Sequence, residues 1–506
     1  MERYTDTTSG GYMQIPVADK TVTAELSGDF TLPDYQPEIK RLLRVVASVL
    51  PPSRYVGDRE AELAGAVDYY VLYTGSDNEV YCAPLTTEYK IAIPYEGEEG
   101  AVAGLTGNAV IFPDLVSGRV TSPRRLNIKC RLRARAMILG EMPAAGGFDS
   151  RAEGIETLRA ATHVTKRLWG TGEKLTLNDE MLTDGRGGDL RVISADGRVL
   201  MSEAIAEAGR VDCRGELYLK LLMSREDGSA PYTVLRKMPF SCGVAVDGAR
   251  RGGTASAKGS VCELAVTVED SRILISASLI PEAEVCVEEK AEYVKDVFST
   301  LRHSSCEYRR VVTAQGGSSF GGNFTLSDSL PLEEIGMARD AHVIDASGVV
   351  IPEETVHEGG RTAITGKARF TLLIEKDGEY TTVDAELPFR YELKDECERA
   401  ICEAEVITVR TRCDGERLGI DSEIFVRGSG WRETACQMPE RVTFGDRFIP
   451  AKGEWIICYP SFGDSLWSVA KRYGVSTESL AERNGIAEGN TPDWESAPLE
   501  VGFLMI

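Results

Sequence analysis

The chain has 506 residues, and at about 150 residues per domain this length predicts three to four domains. Its 79 acidic and 57 basic side chains give a formal net charge of -22, which repels phosphate backbones and argues against nucleic acid as a partner. With 42% hydrophobic and 27% charged residues the composition is that of a globular protein, and no run of about 20 apolar residues predicts a membrane span.

The N-terminal segment and the cysteines predict an interior location. Residues Met1 to Pro16 are polar and lack the basic and then apolar start of a secretory signal. The twelve cysteines are scattered without a CxxC pair, a usage typical of reduced thiols in a cytosolic protein. We therefore expect a cytoplasmic protein without a signal peptide.

One strand pattern occurs three times in the chain. Each copy places apolar residues at every second position after a glycine, which predicts a strand with one buried face. The anchoring glycines Gly65, Gly215 and Gly366 are 150 and 151 residues apart. A glycine inside a strand predicts a bulge or a close backbone approach. The three copies occupy residues 61–73, 211–223 and 362–374.

The first copy also contains the best candidate for a helix outside the C-terminal segment. Residues 37–50 place Ile39, Leu43 and Val46 on one apolar face, and a proline pair beginning at Pro51 stops the run. We predict a helix here. The valines of the same run also suit a strand, so a partly extended conformation remains an alternative.

Repeats of this length are large enough for cores of their own and predict tandem β-rich domains of about 150 residues. The stretches 140–147 and 428–430 have linker composition. The predicted fold class is therefore mainly β, with a small α+β module at the C-terminus. The predicted divisions are domains at 1–140, 141–290 and 291–436, a linker at 437–452 and a module at 453–506.

The last fifty residues have a different pattern. A short apolar strand at 456–459 precedes a helix whose buried face carries Leu466, Val469, Ala470 and Tyr473. Gly474 is placed to end that helix, and Ser476 or Thr477 to cap a second one. With a closing strand at 503–506 the order is β-α-α-β, which predicts a small, self-contained unit.

This segment resembles the LysM module through GDSLW at 463–467, VAKRYGV at 469–475, Leu480 and Asn484. In that family a shallow groove, between the loop before the first helix and the loop after the second, binds N-acetylglucosamine polymers. Asp464 is also suited to cap the first helix, and Leu466 to lie in the core. The resemblance implies a ligand- or partner-binding groove at Gly463, Asp464, Ser465, Leu466, Asn484, Gly485 and Ile486.

The three upstream copies resemble the SPOCS domain of spore-forming Firmicutes. The resemblance rests on the runs at 32–49, 65–81 and 294–300 and on LPF at 387–389, and the first copy fits best. Three such domains before a LysM module are the layout of a spore-envelope assembly factor made in the mother cell. The resemblance implies a location at the forespore surface and, as partner of the LysM module, the ATPase of the coat basement layer or another coat morphogenetic protein.

No constellation of reactive groups predicts an enzyme, a metal site or a cofactor. The four histidines are far apart, and no nucleophile-elbow or phosphate-loop motif occurs. We therefore predict a non-enzymatic scaffold or adaptor in spore-coat assembly. The alternative is a peptidoglycan-binding cell-wall protein. A third hypothesis, much weaker, is a glycan hydrolase whose carboxylates the sequence does not reveal.

Overall fold

The structure is a computed structural model, and it confirms a mainly β fold. In the part of the chain that it describes, the only helices are two short ones near the C-terminus. The described residues are 12–57, 59–95, 103–144, 153–182, 190–225, 229–269, 272–448, 456–486 and 503–506.

The strands before the C-terminal segment fall into three groups. The first group is β1 (Tyr12–Thr31), β2 (Arg41–Val49), β3 (Ser53–Val56), β4 (Glu60–Thr74), β5 (Val80–Pro94), β6 (Ala103–Ser122) and β7 (Arg125–Pro143). The second is β8 (Ile155–Thr171), β9 (Leu175–Leu182), β10 (Leu190–Glu207), β11 (Arg210–Arg225), β12 (Tyr232–Ala245), β13 (Thr254–Glu269) and β14 (Arg272–Ser299). The third is β15 (Arg302–Pro331), β16 (His342–Glu358), β17 (Arg361–Lys376), β18 (Glu379–Glu392), β19 (Arg399–Asp414) and β20 (Arg417–Arg447).

Each group repeats the same pair of antiparallel sheets. In one sheet the last strand lies between the first and the next to last, as in β1-β7-β6 and β15-β20-β19; β14 likewise lies between β13 and the β8 and β9 segments. In the other sheet the glycine strand is central, and β4, β11 and β17 each pair with strands on both sides. Each pair of sheets encloses its own apolar core.

The three glycines lie where their strands are approached closely, as predicted. A Cβ added to Gly366 would lie 2.1 Å from the backbone oxygen of Ile351, and one on Gly215 would lie 2.5 Å from that of Leu200. Opposite Gly215 and Gly366 the neighbouring strand shifts its register just beyond the glycine, after Met201 and after Pro352. These two positions therefore combine a bulge with a contact that only glycine permits.

The predicted helix at residues 37–50 is wrong. Arg41 to Val49 form β2, which pairs with β4. β-Branched valines suit this pleated surface, and Val45 packs closely against Gly118 of β6. Pairing with β4 also satisfies the backbone of this segment across the sheet, which outweighs the helical spacing of its apolar residues.

The glycine-centred sheets of the three groups form a closed ring. Their edge strands lie against one another as β5 with β10, β12 with β16, and β18 with β2. Arg191 donates to the carbonyl of Val80 at 3.0 Å across the first contact, and Thr382 donates to that of Leu43 at 2.8 Å across the third. The ring covers strand edges that would otherwise be open to pairing with other chains.

The predicted domain boundaries remain predictions, but strands run through three of them. β7 continues past residue 140, β14 past residue 290, and β20 past residue 436. The predicted linker at 437–452 is therefore strand as far as Arg447, and the stretch 428–430 lies inside β20 with Ser429 buried. Both stretches pair with β15, which explains why composition alone was misleading there.

Candidate functional site

The C-terminal segment folds in the predicted β-α-α-β order. Its elements are β21 (Ile457–Cys458), α1 (Leu466–Tyr473), α2 (Thr477–Arg483) and β22 (Leu504–Met505). β21 and β22 pair antiparallel and bury Cys458 opposite Leu504. The stretch 488–497, which leads to the closing strand, lies outside the described residues.

Local capping explains where the two helices begin and end. Ser465 caps α1, because its hydroxyl accepts from the backbone of Ser468 while the hydroxyl of Ser468 accepts from the backbone of Ser465. Gly474 ends α1 in the left-handed conformation, with φ at 65°. Ser476 caps α2, so the predicted stop and the second predicted cap are both confirmed.

Asp464 has a different role from the helix cap suggested by sequence. Its carboxylate accepts from the backbone of Ser461 at 2.9 Å and receives two bonds from Arg472, at 2.6 and 3.2 Å. Arg472 holds the pKa of Asp464 below its usual value, so the carboxylate stays charged. The side chain therefore shapes the loop before α1, and little of it remains for a ligand.

Three more of the predicted groove residues are committed to the fold. Leu466 is buried in the module core, and Ser465 is buried as a cap. The side-chain amide of Asn484 donates to the carbonyls of Leu480 and Met505 and accepts from the backbone of Met505. Asn484 thus fixes the end of α2 to β22 and sets the position of the second loop.

The exposed residues at the predicted groove are two glycines, with two aromatic rings on the neighbouring chain. Gly463 and Gly485 are exposed, with φ values of 88° and 66° and no atom near the place a Cβ would occupy. Ile486 is half-buried against the core. Sequence reasoning missed the rings at Phe462 and Tyr459, which are the most exposed large apolar side chains of the module. The one available signal was Phe462 itself, an aromatic residue directly before the GDSLW motif.

The opposite side of the module rests on the β body. The Trp467 ring packs edge-on against Phe298 of β14 with 4.8 Å between ring centroids, and its Nε1 donates to Asp296 at 2.8 Å. Leu158 of β8 completes the same core. The ring of Phe448, just beyond β20, lies against Gly474. The module is therefore not self-contained, because residues of the β body close its core.

A charged network fixes this contact. Lys471 donates to both carboxylate oxygens of Asp296, at 2.6 and 2.8 Å, and Tyr308 donates to the same carboxylate. Burial works to raise the pKa of Asp296, but the bonds from Lys471, Tyr308 and Trp467 outweigh it and keep the pKa below its usual value. A charged Asp296 therefore anchors α1 at neutral pH.

The described residues contain no candidate metal site. Within those ranges no three histidine, cysteine or acidic side chains converge as a metal site would require. No helix of the described chain is long and apolar enough to cross a membrane.

Comparison with known proteins gives one match. Residues 462–492 match the family described as LysM domain. No curated protein and no solved structure matches the chain. The resemblance of the three strand groups to the SPOCS domain finds no support in these comparisons. The part of the chain that docks on β14 through Trp467 is a LysM domain, a module that binds ligands and does not catalyse reactions.

Proposed function

We propose that the protein is a non-catalytic binding protein whose β body holds the LysM domain with its groove facing solvent. The observation that carries this is the division of the module into two sides. Trp467 and Lys471 face the body, whereas Phe462, Gly463 and Gly485 face solvent. A groove that is open in the docked arrangement needs no rearrangement before it binds.

N-acetylglucosamine polymers are the ligand class that suits this groove. The exposed glycines leave backbone groups accessible, and the rings of Phe462 and Tyr459 offer flat apolar faces for pyranose rings. Asp464 is neutralised by Arg472, so the loop presents no uncompensated charge to a neutral sugar. Peptidoglycan and chitin oligomers share this chemistry.

Calorimetric titration of the full chain with N-acetylglucosamine hexamer tests the proposal. We expect saturable binding, and we expect Phe462→Ala to weaken it about tenfold, or roughly 1.4 kcal/mol, because one stacking face is lost. Tyr35→Ala is the matched control, since Tyr35 is also a largely exposed ring and lies on the β body. No binding by the wild type, or an equal loss in both variants, would contradict the proposal.

We further propose a role in spore-coat assembly, with the three strand groups as SPOCS-like scaffold domains. Two observations support an interior, protein-binding role: all twelve cysteines are free thiols, and exposed apolar side chains concentrate on the module at Ile457, Tyr459, Phe462 and Phe503. In this proposal the protein acts in the mother-cell cytoplasm, at the forespore surface. Its partner is the ATPase of the coat basement layer or another coat morphogenetic protein.

Fractionation of sporulating cells separates this role from that of a cell-wall protein. We expect the native chain at the forespore surface, and we expect the full chain to retain the basement-layer ATPase in a pull-down. Retention that falls with Phe462→Ala would place the partner on the exposed face of the module. Native protein in the vegetative cell wall, with no retained coat protein, would favour the peptidoglycan-binding alternative.

A further inference from the structure

A cleft lies between the second and third strand groups, far in sequence from the LysM groove. Its volume is about 380 Å³. β10, β11 and β12 line one side, and β16 and β19 line the other, with the ring of Tyr218 in its wall. This volume is in the range of small-ligand sites.

Basic side chains are concentrated in this cleft, although the chain as a whole carries a net charge of -22. The acidic residues of its lining are Asp196, Asp345 and Glu423. The basic residues of its lining are Arg198, Lys220, Arg236, Lys237 and Arg410. The lining therefore has an excess of positive charge, and a cleft concentrates such a field.

The repeated fold shows that the strands of a group form without cations at these five positions. The strand registers give each of the five positions two equivalents, one in each other group. None of the ten equivalents is lysine or arginine, and one is glutamate. The equivalents are Ser48 and Val349 for Arg198, Tyr70 and Thr371 for Lys220, Leu85 and Ala385 for Arg236, Thr86 and Glu386 for Lys237, and Ser117 and Ala265 for Arg410.

Three of the five cations are held by carboxylates. Arg198 pairs with Asp196, Lys220 with Asp345, and Arg236 with Asp179. Their charges are largely compensated within the fold.

Lys237 and Arg410 form no ion pair with any residue that the structure describes, and both are exposed. Lys237 Nζ donates to Tyr218 Oη at 2.7 Å, and it lies over the ring at 4.3 Å from the centroid. These two side chains therefore supply the positive charge that the fold itself does not use.

We propose that this cleft binds a small ligand that carries carboxylate or phosphate groups. Lys237 and Arg410 approach the anionic groups from opposite walls, and the phenol of Tyr218 provides a flat contact and a hydrogen-bonding hydroxyl. Arginine forms paired hydrogen bonds to planar carboxylate and to phosphate, whereas lysine acts as a point charge. The site is independent of the LysM groove and of the function proposed for it.

Calorimetric titration of the full chain with citrate and with pyrophosphate, at low ionic strength, tests this assignment. We expect saturable binding of at least one probe, and which probe binds identifies carboxylate or phosphate as the recognised group. Lys237→Thr and Arg410→Ser install the residues that the first strand group has at these positions, so both variants should fold normally. Each should weaken binding about tenfold, and raising the salt from 50 to 200 mM should weaken wild-type binding.

Arg251→Thr is the matched control, because Arg251 is an exposed cation outside the cleft. It should leave the affinity unchanged. The proposal fails if neither probe binds saturably, or if Arg251→Thr weakens binding as much as the cleft variants. It also fails if hexaglutamate binds while both small anions do not, since that would identify an acidic protein segment as the occupant. Binding of the N-acetylglucosamine hexamer at the LysM groove should be the same in the wild type and in Lys237→Thr, Arg410→Ser and Arg251→Thr.

Discussion

At the scale of single residues, three glycines at equivalent positions have unequal surroundings. A Cβ at Gly366 would meet backbone, the carbonyl oxygen of Ile351 at 2.1 Å. A Cβ at Gly65 would meet the ring end of Tyr89 at 2.9 Å, and the neighbouring chain there breaks between β2 and β3 instead of bulging. A side-chain ring can move aside, whereas a paired strand cannot.

We therefore expect Gly366→Ala to destabilise the protein by about 3 kcal/mol and Gly65→Ala by about 1 kcal/mol, the range of overpacking effects. Urea denaturation followed by circular dichroism measures both values, and the pair serves as its own control because the position in the repeat is the same. Equal losses of stability would contradict the role given to the Ile351 carbonyl.

Single residues also show the limit of reading the site from sequence. The resemblance to LysM correctly placed the loops that carry Gly463 and Gly485, because family motifs follow the local chain. It could not reveal that Asp464 pairs with Arg472 or that Asn484 is hydrogen-bonded to Met505, since these contacts depend on side-chain conformation. Whether the predicted residues bind a ligand remains a prediction.

At the scale of elements, strand patterns were more reliable than helix patterns in the β body. The alternation after each glycine predicted β4, β11 and β17, because a strand with one buried face has a period of two. Residues 41–49 have apolar spacing compatible with both structures, and pairing with β4 decided the outcome. The strand character of residues 437–447 was missed because their partner, β15, begins 135 residues earlier in the chain.

The docking of α1 on β14 provides a prediction at the same scale. Lys471→Ala removes the cation from the partly buried Asp296, and we expect α1 to exchange its amide hydrogens faster while β14 and β17 remain protected. Hydrogen exchange followed by mass spectrometry measures this. Arg472→Ala is the adjacent control, because Arg472 forms its ion pair among the described residues with Asp464, inside the module. Unchanged exchange in Lys471→Ala would show that Trp467 and Phe298 hold the module without the ion pair.

At the scale of the whole molecule, ion pairs between the strand groups explain what the repeat pattern could not predict. Asp345 of the third group binds Arg44 of the first at 2.5 Å and Lys220 of the second at 2.9 Å. Glu403 of the third group binds Lys258 of the second at 3.1 Å. The repeats predicted three similar units, but the closure of the ring depends on residues at which the copies differ.

These contacts between strand groups make the stability of the β body depend on pH. Burial works to raise the pKa of Asp345, but Arg44 and Lys220 outweigh it and lower the pKa from 3.8 to about 2. Burial likewise opposes ionisation of Glu403, and Lys258 and Arg427 lower its pKa from 4.5 to about 2. A lowered carboxyl pKa stabilises the fold above the unfolded-state value, and the stabilisation is lost as the pH falls toward the folded-state value.

We therefore expect the contribution of these two carboxylates to the free energy of unfolding to be constant between pH 7 and about 5. Between pH 5 and 2 we expect each to lose roughly 2 to 3 kcal/mol of that contribution. Thermal unfolding at successive pH values, at fixed salt, measures the loss.

Glu403→Gln should be less stable at pH 7, because Lys258 and Arg427 lose a shared partner, and its melting temperature should fall less steeply below pH 5. Glu440→Gln, which removes an exposed carboxylate near the end of β20, should leave the pH profile unchanged. Parallel acid profiles for the wild type and Glu403→Gln would mean that the strand groups are held together by apolar contacts, among them Leu43, Leu222 and Leu373, and not by the buried charge of Glu403.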